Sequence, residues 1–206
     1  MHVGAAPVYL TVPAGGIAAL LAPDRRSSTT TARVVAGLAP AVAGRVRVAG
    51  RDVTDQPPAR RQIGYVPAGG ALLPHLSVRR NIEYGLRKRE RVVKISDDWV
   101  DSVVEQLNLA PTLDLLPHLL SDAQRFRVAL ARAVAGTPEV LVVDLPGTSV
   151  RLGRLADLLP RPEPSARWES AVLVCSTDRR GLTDLGIADP TEVGPVTGSS
   201  PPGAAG

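Results

Sequence analysis

The chain has 206 residues, 44% of them hydrophobic but only 3% aromatic, and a formal net charge of +4. That length is enough for one domain with a buried core, and a mean hydropathy of +0.07 excludes a chain too polar to fold. With so few aromatics, the core has to be built from Val, Leu, Ile and Ala.

No apolar run approaches the roughly 18 residues that would read as a membrane-crossing helix. The first residues, MHVGAAPVYLTVPAGG, lack the basic stretch followed by an apolar core that marks a secretion signal. A cytoplasmic protein is the expectation, and no nucleic-acid partner is expected. A single cysteine, Cys175, excludes an internal disulfide and a cysteine-built metal site. It lies in the apolar run Ala171-Val172-Leu173-Val174-Cys175 and reads as a buried, inert thiol. His2, His75 and His118 show no metal-ligand spacing.

In chain order, Tyr9 to Val12 and Ile17 to Leu21 flank Pro13-Ala14-Gly15-Gly16, a hairpin-like pattern. A polar loop follows, then a helix over Thr29 to Leu38 closed by Gly37. Arg45 to Gly50 and Gln62 to Val66 read as short strands. Ser77 is placed to cap a helix from Val78 toward Arg89. Trp99, Val100, Val103, Val104 and Leu107 form the stripe of another helix. Ser121 caps a third, through Ala135. The runs Val140 to Val143 and Ala171 to Cys175 are apolar throughout, as in parallel strands covered on both faces. Between them a helix begins near Arg151 and is limited by Pro160, Pro162 and Pro164. Residues 190–206 have the composition of a flexible tail.

Strand, loop, helix, helical insert and an apolar strand ending in Asp144 is the plan of a P-loop NTPase. Four stretches narrow it. These are Ala36-Gly37-Leu38 with Ala43-Gly44-Arg45-Val46; Arg51-Asp52-Val53-Thr54-Asp55-Gln56-Pro57-Pro58-Ala59-Arg60-Arg61; Ala71-Leu72-Leu73-Pro74-His75-Leu76-Ser77-Val78-Arg79-Arg80-Asn81-Ile82; and Arg127 to Ala133. Together they resemble the ATP-binding subunits of ABC transporters, in particular molybdate, sulfate and polyamine-type importers. The resemblance implies an α/β fold: a RecA-like core sheet flanked by helices, an N-terminal antiparallel β subdomain and a helical subdomain near 75–135. The domain would span residues 1–189. It also implies ATP and Mg²⁺ as cofactors, and a membrane permease as partner through residues 68–81 at the inner face of the cell membrane.

The residues that should carry the chemistry depart from the family pattern. The phosphate loop G-x-x-x-x-G-K-[ST] aligns with Ala22-Pro23-Asp24-Arg25-Arg26-Ser27-Ser28-Thr29, followed by Thr30. Such a loop turns successive backbone N–H groups onto phosphate and needs glycine to do so. Both framework glycines are replaced, by Ala22 and Ser27; the lysine is Ser28; and Asp24 adds a negative charge. Thr29 matches the Mg²⁺-side hydroxyl. Two readings stand: a helix-capping loop, or a phosphate site in which Arg25 or Arg26 replaces the lysine.

The glutamine that senses the γ-phosphate aligns with Ala68, the catalytic glutamate with Leu145, the switch histidine with Thr177 and the D-loop aspartate with Arg151. Leucine can neither polarise water nor accept its proton. The signature motif becomes Leu120-Ser121-Asp122-Ala123-Gln124. Ser121 and Gln124 serve either to clamp the γ-phosphate of an opposite subunit or simply to cap a helix. Asp144 is either a metal ligand with Thr29 or a structural strand-end carboxylate. The intervals between these positions are those of an active importer ATPase, give or take a residue.

The expected function is therefore a pseudo-ATPase subunit of an importer, with no catalytic residue in place and a vestigial nucleotide site over Ala22 to Thr30. It would pair with a permease or form a heterodimer with an active ABC ATPase. The alternatives are a working ATPase with a non-standard phosphate loop, a detached interaction protein, or a relic. Tyr9 is the nearest candidate for stacking on adenine, and packing within a strand is its other reading.

Overall fold

The computed structural model describes residues 9–87, 97–145, 154–159 and 169–193. Five strands form one parallel sheet: β1 (Ile17–Leu21), β4 (Ile63–Val66), β5 (Val140–Asp144), β6 (Ala171–Ser176) and β7 (Thr191–Glu192), in the order β4-β5-β6-β1-β7. A separate antiparallel pair joins β2 (Arg47–Val48) to β3 (Arg51–Asp52). The helices are α1 (Arg25–Val35), α2 (Val78–Arg87), α3 (Asp97–Gln106), α4 (Asp122–Ala135), α5 (Leu155–Leu158) and α6 (Arg179–Asp184).

The apolar strands are buried on both faces because their alternate residues enter different cores. Leu141 and Val143 of β5, with Val172 and Val174 of β6, face the larger cluster, which includes Val128, Leu130 and Val134 of α4. Val142, Leu173 and Cys175 face the smaller one, with Ala32 of α1. Burial pushes the Cys175 thiol up to about 12, so it is the inert thiol its context implies. Helix α4 is the hub of the helical side, packing on α2, α3 and β4. The α2–α4 approach is close enough that a Cβ at Gly85 would overlap the Arg132 carbonyl.

Three expectations change. Tyr9 to Val12 form no strand, so there is no hairpin with β1. Both edges of β1 are taken in parallel, by β6 along its length and by β7 at Leu20 and Leu21. Tyr9 itself is 87% exposed rather than packed. Within the stretch expected to be tail, Thr191–Glu192 form β7; residues 194–206 lie outside the described residues. Third, α1 begins at Arg25, four residues before Thr29. The expected helix starts at Val78 and after Ser121 hold, each with its serine hydroxyl accepting from a first-turn amide. In the interval from Arg151 to Pro164, the described residues hold only the four-residue α5.

Candidate functional site

In a parallel sheet, the carboxyl ends of neighbouring strands open on one edge, where such folds bind ligands. Here the ends of β1, β5 and β6 are laced together by backbone bonds. Ala22 N donates to Ser176 O (2.8 Å), and Leu145 N to Cys175 O (2.9 Å). That brings the segment after β1, the carboxylate of Asp144 and the end of β6 to one place.

The segment after β1 does not form a cradle of inward-turned amides. Asp24 is extended (φ −148, ψ 162) and caps α1. Its Oδ1 accepts from Ser27 N (2.9 Å) and its Oδ2 from the Ser27 hydroxyl (2.7 Å). These bonds, the hydroxyl first, hold the Asp24 carboxyl below the usual carboxylate range. Ser28 N already makes a helical bond to Asp24 O (3.0 Å). No residue from 22 to 30 has a positive φ. The strain expected of non-glycine residues in a phosphate loop is thus avoided, because the chain turns directly into helix.

Asp144 is 2% exposed. Its carboxylate accepts from the hydroxyls of Thr29 (2.9 Å), Tyr65 (3.4 Å) and Ser28 (3.5 Å). Burial raises its carboxyl above the ordinary value; the Thr29 bond, the Arg25 charge, and the Tyr65 and Ser28 bonds act in the other direction. Tyr65, from β4, is pushed up to about 12 by burial and then by the neighbouring Asp144 charge. Arg25 and Arg26 lie exposed at the helix start.

The residues at the start of α1 do not fit a polyphosphate. The Ser27 amide, a helix-start donor that phosphate would use, already bonds a carboxylate. The loop has no left-handed turn to bring further amides inward. Mg²⁺ in such sites takes one or two protein oxygens and the rest from phosphate and water; the Thr29 hydroxyl donates to Asp144 and both keep lone pairs that a cation could use.

The remaining predicted positions fall around this edge. Leu145 follows β5 and is 8% exposed, packed into the larger core. Thr177 follows β6 and is half-buried, and Ala68 follows β4. Arg151 lies outside the described residues. Ser121 and Gln124 form a capping box: Gln124 N donates to Ser121 Oγ (3.3 Å), while Gln124 Oε1 accepts from Ser121 N (2.9 Å). Asp122 pairs with Arg125 one turn on, so its charge is partly answered within the helix. Ala123 is half-buried.

The model of the ABC transporter family matches residues 6–148. The chain belongs to the ABC transporter family. It is 45% identical over 133 residues to the molybdate/tungstate import ATP-binding protein WtpC of Archaeoglobus fulgidus, covering 65% of this chain and 55% of that protein. It is 42% identical over 139 residues to the sulfate/thiosulfate import ATP-binding protein CysA of Mycolicibacterium paratuberculosis, covering 68% of this chain and 38% of that one. The dimeric structure of a bacterial ABC transporter cassette superposes with a TM-score of 0.64 at 21% identity, over 84% of this chain and 79% of that one. The chain thus spans about half, or less, of the length of the curated relatives it matches.

Three residues position the site in this ABC transporter chain without a role being assigned to them from sequence. Tyr65 looks like an ordinary alternating strand residue. Arg132 donates from α4 to the carbonyls of Gly70 (3.0 Å) and Ala71 (2.9 Å), pinning the segment after Ala68. Asn81, fully buried, bonds Leu73 N (2.8 Å), Leu73 O (3.2 Å), Leu76 O (2.9 Å) and Ser77 O (3.0 Å), and so fixes the turn before α2. A polar residue at the buried face of an amphipathic helix was the available signal for Asn81.

Proposed function

We propose that this chain is a nucleotide-binding-domain homologue acting as a pseudo-ATPase subunit of an import system, at the inner face of a membrane. The observation that carries the reading is the pairing of Ser27 N with Asp24, which spends a phosphate-side donor within the chain. The relatives' printed names as import ATP-binding proteins support the transport context. No helix among the described residues is long and apolar enough to cross a membrane, so attachment would be through a permease subunit. Residues 1–189 would act as one domain, with 75–135 as its helical subdomain.

Titration calorimetry with ATP and Mg²⁺, together with steady-state phosphate release, tests the central claim. We expect affinity in the high micromolar range or weaker, and no turnover above background. A second reading, a working ATPase, draws on Arg25, whose charge reaches Asp144. A low-micromolar, Mg²⁺-dependent affinity that falls for Arg25→Ala or Arg26→Ala would establish that reading and end the first.

The proposed permease contact is the segment 68–81. Arg132 and Asn81 hold its backbone in one shape, leaving Pro74 and His75 exposed between the half-buried Leu73 and Leu76. Charged substitutions at Leu73 and Leu76 should abolish co-purification with a membrane permease, at an unchanged melting temperature. Undiminished co-purification would remove the segment from the interface. A heterodimer with an active ABC ATPase belongs to the same proposal, with Ser121 and Gln124 facing the partner's phosphate loop.

A further inference from the structure

The family implies a nucleotide, and the residues at the start of α1 do not fit its polyphosphate. The two facts are reconciled by what occupies the start of α1. The first amides of a helix favour negative charge, because they lack intrahelical acceptors and carry the positive end of the helix dipole. A phosphate commonly supplies that charge. In this chain a carboxylate supplies it: Asp24 Oδ1 on Ser27 N, with Oδ2 on the Ser27 hydroxyl. The next hydroxyls along the helix, Ser28 and Thr29, turn to Asp144 at the end of β5. The turn of α1 that a nucleotide would order is therefore ordered by the chain's own acids, one from the loop and one from the sheet.

We propose that Asp24 is a built-in substitute for the phosphate anion, an intramolecular contact that occupies the Ser27 amide and holds α1 in its seated position without nucleotide. This rests on the pseudo-ATPase reading and adds its physical cause. The absence of the lysine is secondary. Even with a cation at position 28, the amide would remain bonded to Asp24, and the Asp24 charge would oppose an incoming triphosphate. The contact also explains how a loop without its glycines folds: the capping bond stabilises a helix start that needs no left-handed residue.

The test uses the full chain, with inorganic tripolyphosphate and Mg²⁺ as the probe and hydrogen exchange at the Ser27 amide as the readout. Asp24→Gly removes the carboxylate and leaves a residue that helix N-caps tolerate, so the variant should fold. Asp24→Asn removes the charge but keeps a carbonyl oxygen on the amide. In the wild type, tripolyphosphate should leave Ser27 exchange unchanged. In Asp24→Gly, exchange should rise on the order of tenfold, as expected for one lost hydrogen bond, and tripolyphosphate should slow it again. Asp24→Asn should stay close to wild type and ignore the probe.

Two outcomes would overturn the proposal: Asp24→Gly exchanging at the wild-type rate, or exchanging faster with no response to tripolyphosphate. An Asp24→Asn variant that responds as the glycine variant does would also overturn it, since occupancy of the amide would then not be the block. Tight ATP binding by the wild type is a different result, and it ends the pseudo-ATPase reading itself.

Discussion

Leu145→Glu, the substitution that would place a general base after Asp144, is expected to destabilise the protein by about 4 kcal/mol at neutral pH and to produce no ATP turnover. Leu145 is buried in the larger core cluster, and its amide is tied to Cys175 O. Removing the leucine side chain forfeits roughly 1.5–3 kcal/mol of burial. A glutamate there must either ionise in an apolar setting or stay protonated at a cost of about 1.4 kcal/mol per unit of upward shift. Its neighbour Asp144 is already held above the ordinary carboxylate value by burial, and a second acid beside it pushes in the same direction.

The sign of the pH dependence follows. A carboxyl whose pKa is raised by folding costs nothing below its unfolded value near ~4.3 and its full penalty above the folded one. In acid the variant should therefore recover the ionisation part of the loss while keeping the burial part, and its deficit should grow as the pH rises. Urea titrations at pH 5 and 7.5, with Leu145→Met as a control expected to cost under about 1.5 kcal/mol, read this directly. A Leu145→Glu protein as stable as wild type, or one that releases phosphate from ATP, would show that position 145 lines an accessible site and not a core.

The scaffold was legible in the sequence because it is written in patterns with one physical meaning. The wholly apolar runs at 140–143 and 171–175 required a parallel strand covered on both faces, and the two clusters on either side of β5 and β6 are those covers. Ser77 and Ser121 announced helix starts because a side-chain acceptor just before an amphipathic run has few other uses.

The site was legible in part. The alignment placed Thr29 and Asp144 together, but the alignment also carried over a loop where this sequence builds a helix. Asp24 followed by Arg25 and Arg26 is a good N-cap with two good helix formers behind it. Local chemistry, and not the family's loop, decided the start of α1. The roles of Tyr65, Asn81 and Arg132 are not written in sequence, because they depend on which distant atoms the fold brings near them. Composition failed at 191–192 for a related reason. A two-residue strand with Pro and Gly on either side looks like tail until the free edge of β1 is known to be there.

Arg61→Ala should cost about 4 kcal/mol, the largest loss expected of any single truncation outside the apolar core. Arg61 ends the arginine-containing stretch that resembles importer ATPases, yet it is 4% exposed while its neighbour Arg60 is exposed. Its guanidinium is spent on backbone. Nη1 donates to Val34 O (2.8 Å) and Val35 O (2.9 Å) at the end of α1, Nε to Gln56 O (2.8 Å), and Nη2 to Thr54 O. The last carbonyls of a helix lack intrahelical donors and carry its negative end, so a buried cation there answers both needs.

Truncation leaves these carbonyls without their donor. Each hydrogen bond to a charged group contributes roughly 1.5–3 kcal/mol, and not all are lost independently; a total near 4 kcal/mol corresponds to a fall in Tm of about 8–16 °C in a chain of this size. Arg61→Lys should recover less than half, because one ammonium cannot reach acceptors spread across a planar fork. Gly37 must be glycine for the same reason. It has φ +76, and a Cβ on it would overlap the guanidinium, so Gly37→Ala should destabilise in the same direction. Thermal melts of Arg61→Ala, Arg61→Lys and the exposed control Arg60→Ala settle the matter. Equal, small losses for the two alanine variants would mean that α1 is held in place by its apolar face alone, and that the clamp on its far end contributes nothing to seating Thr29 against Asp144.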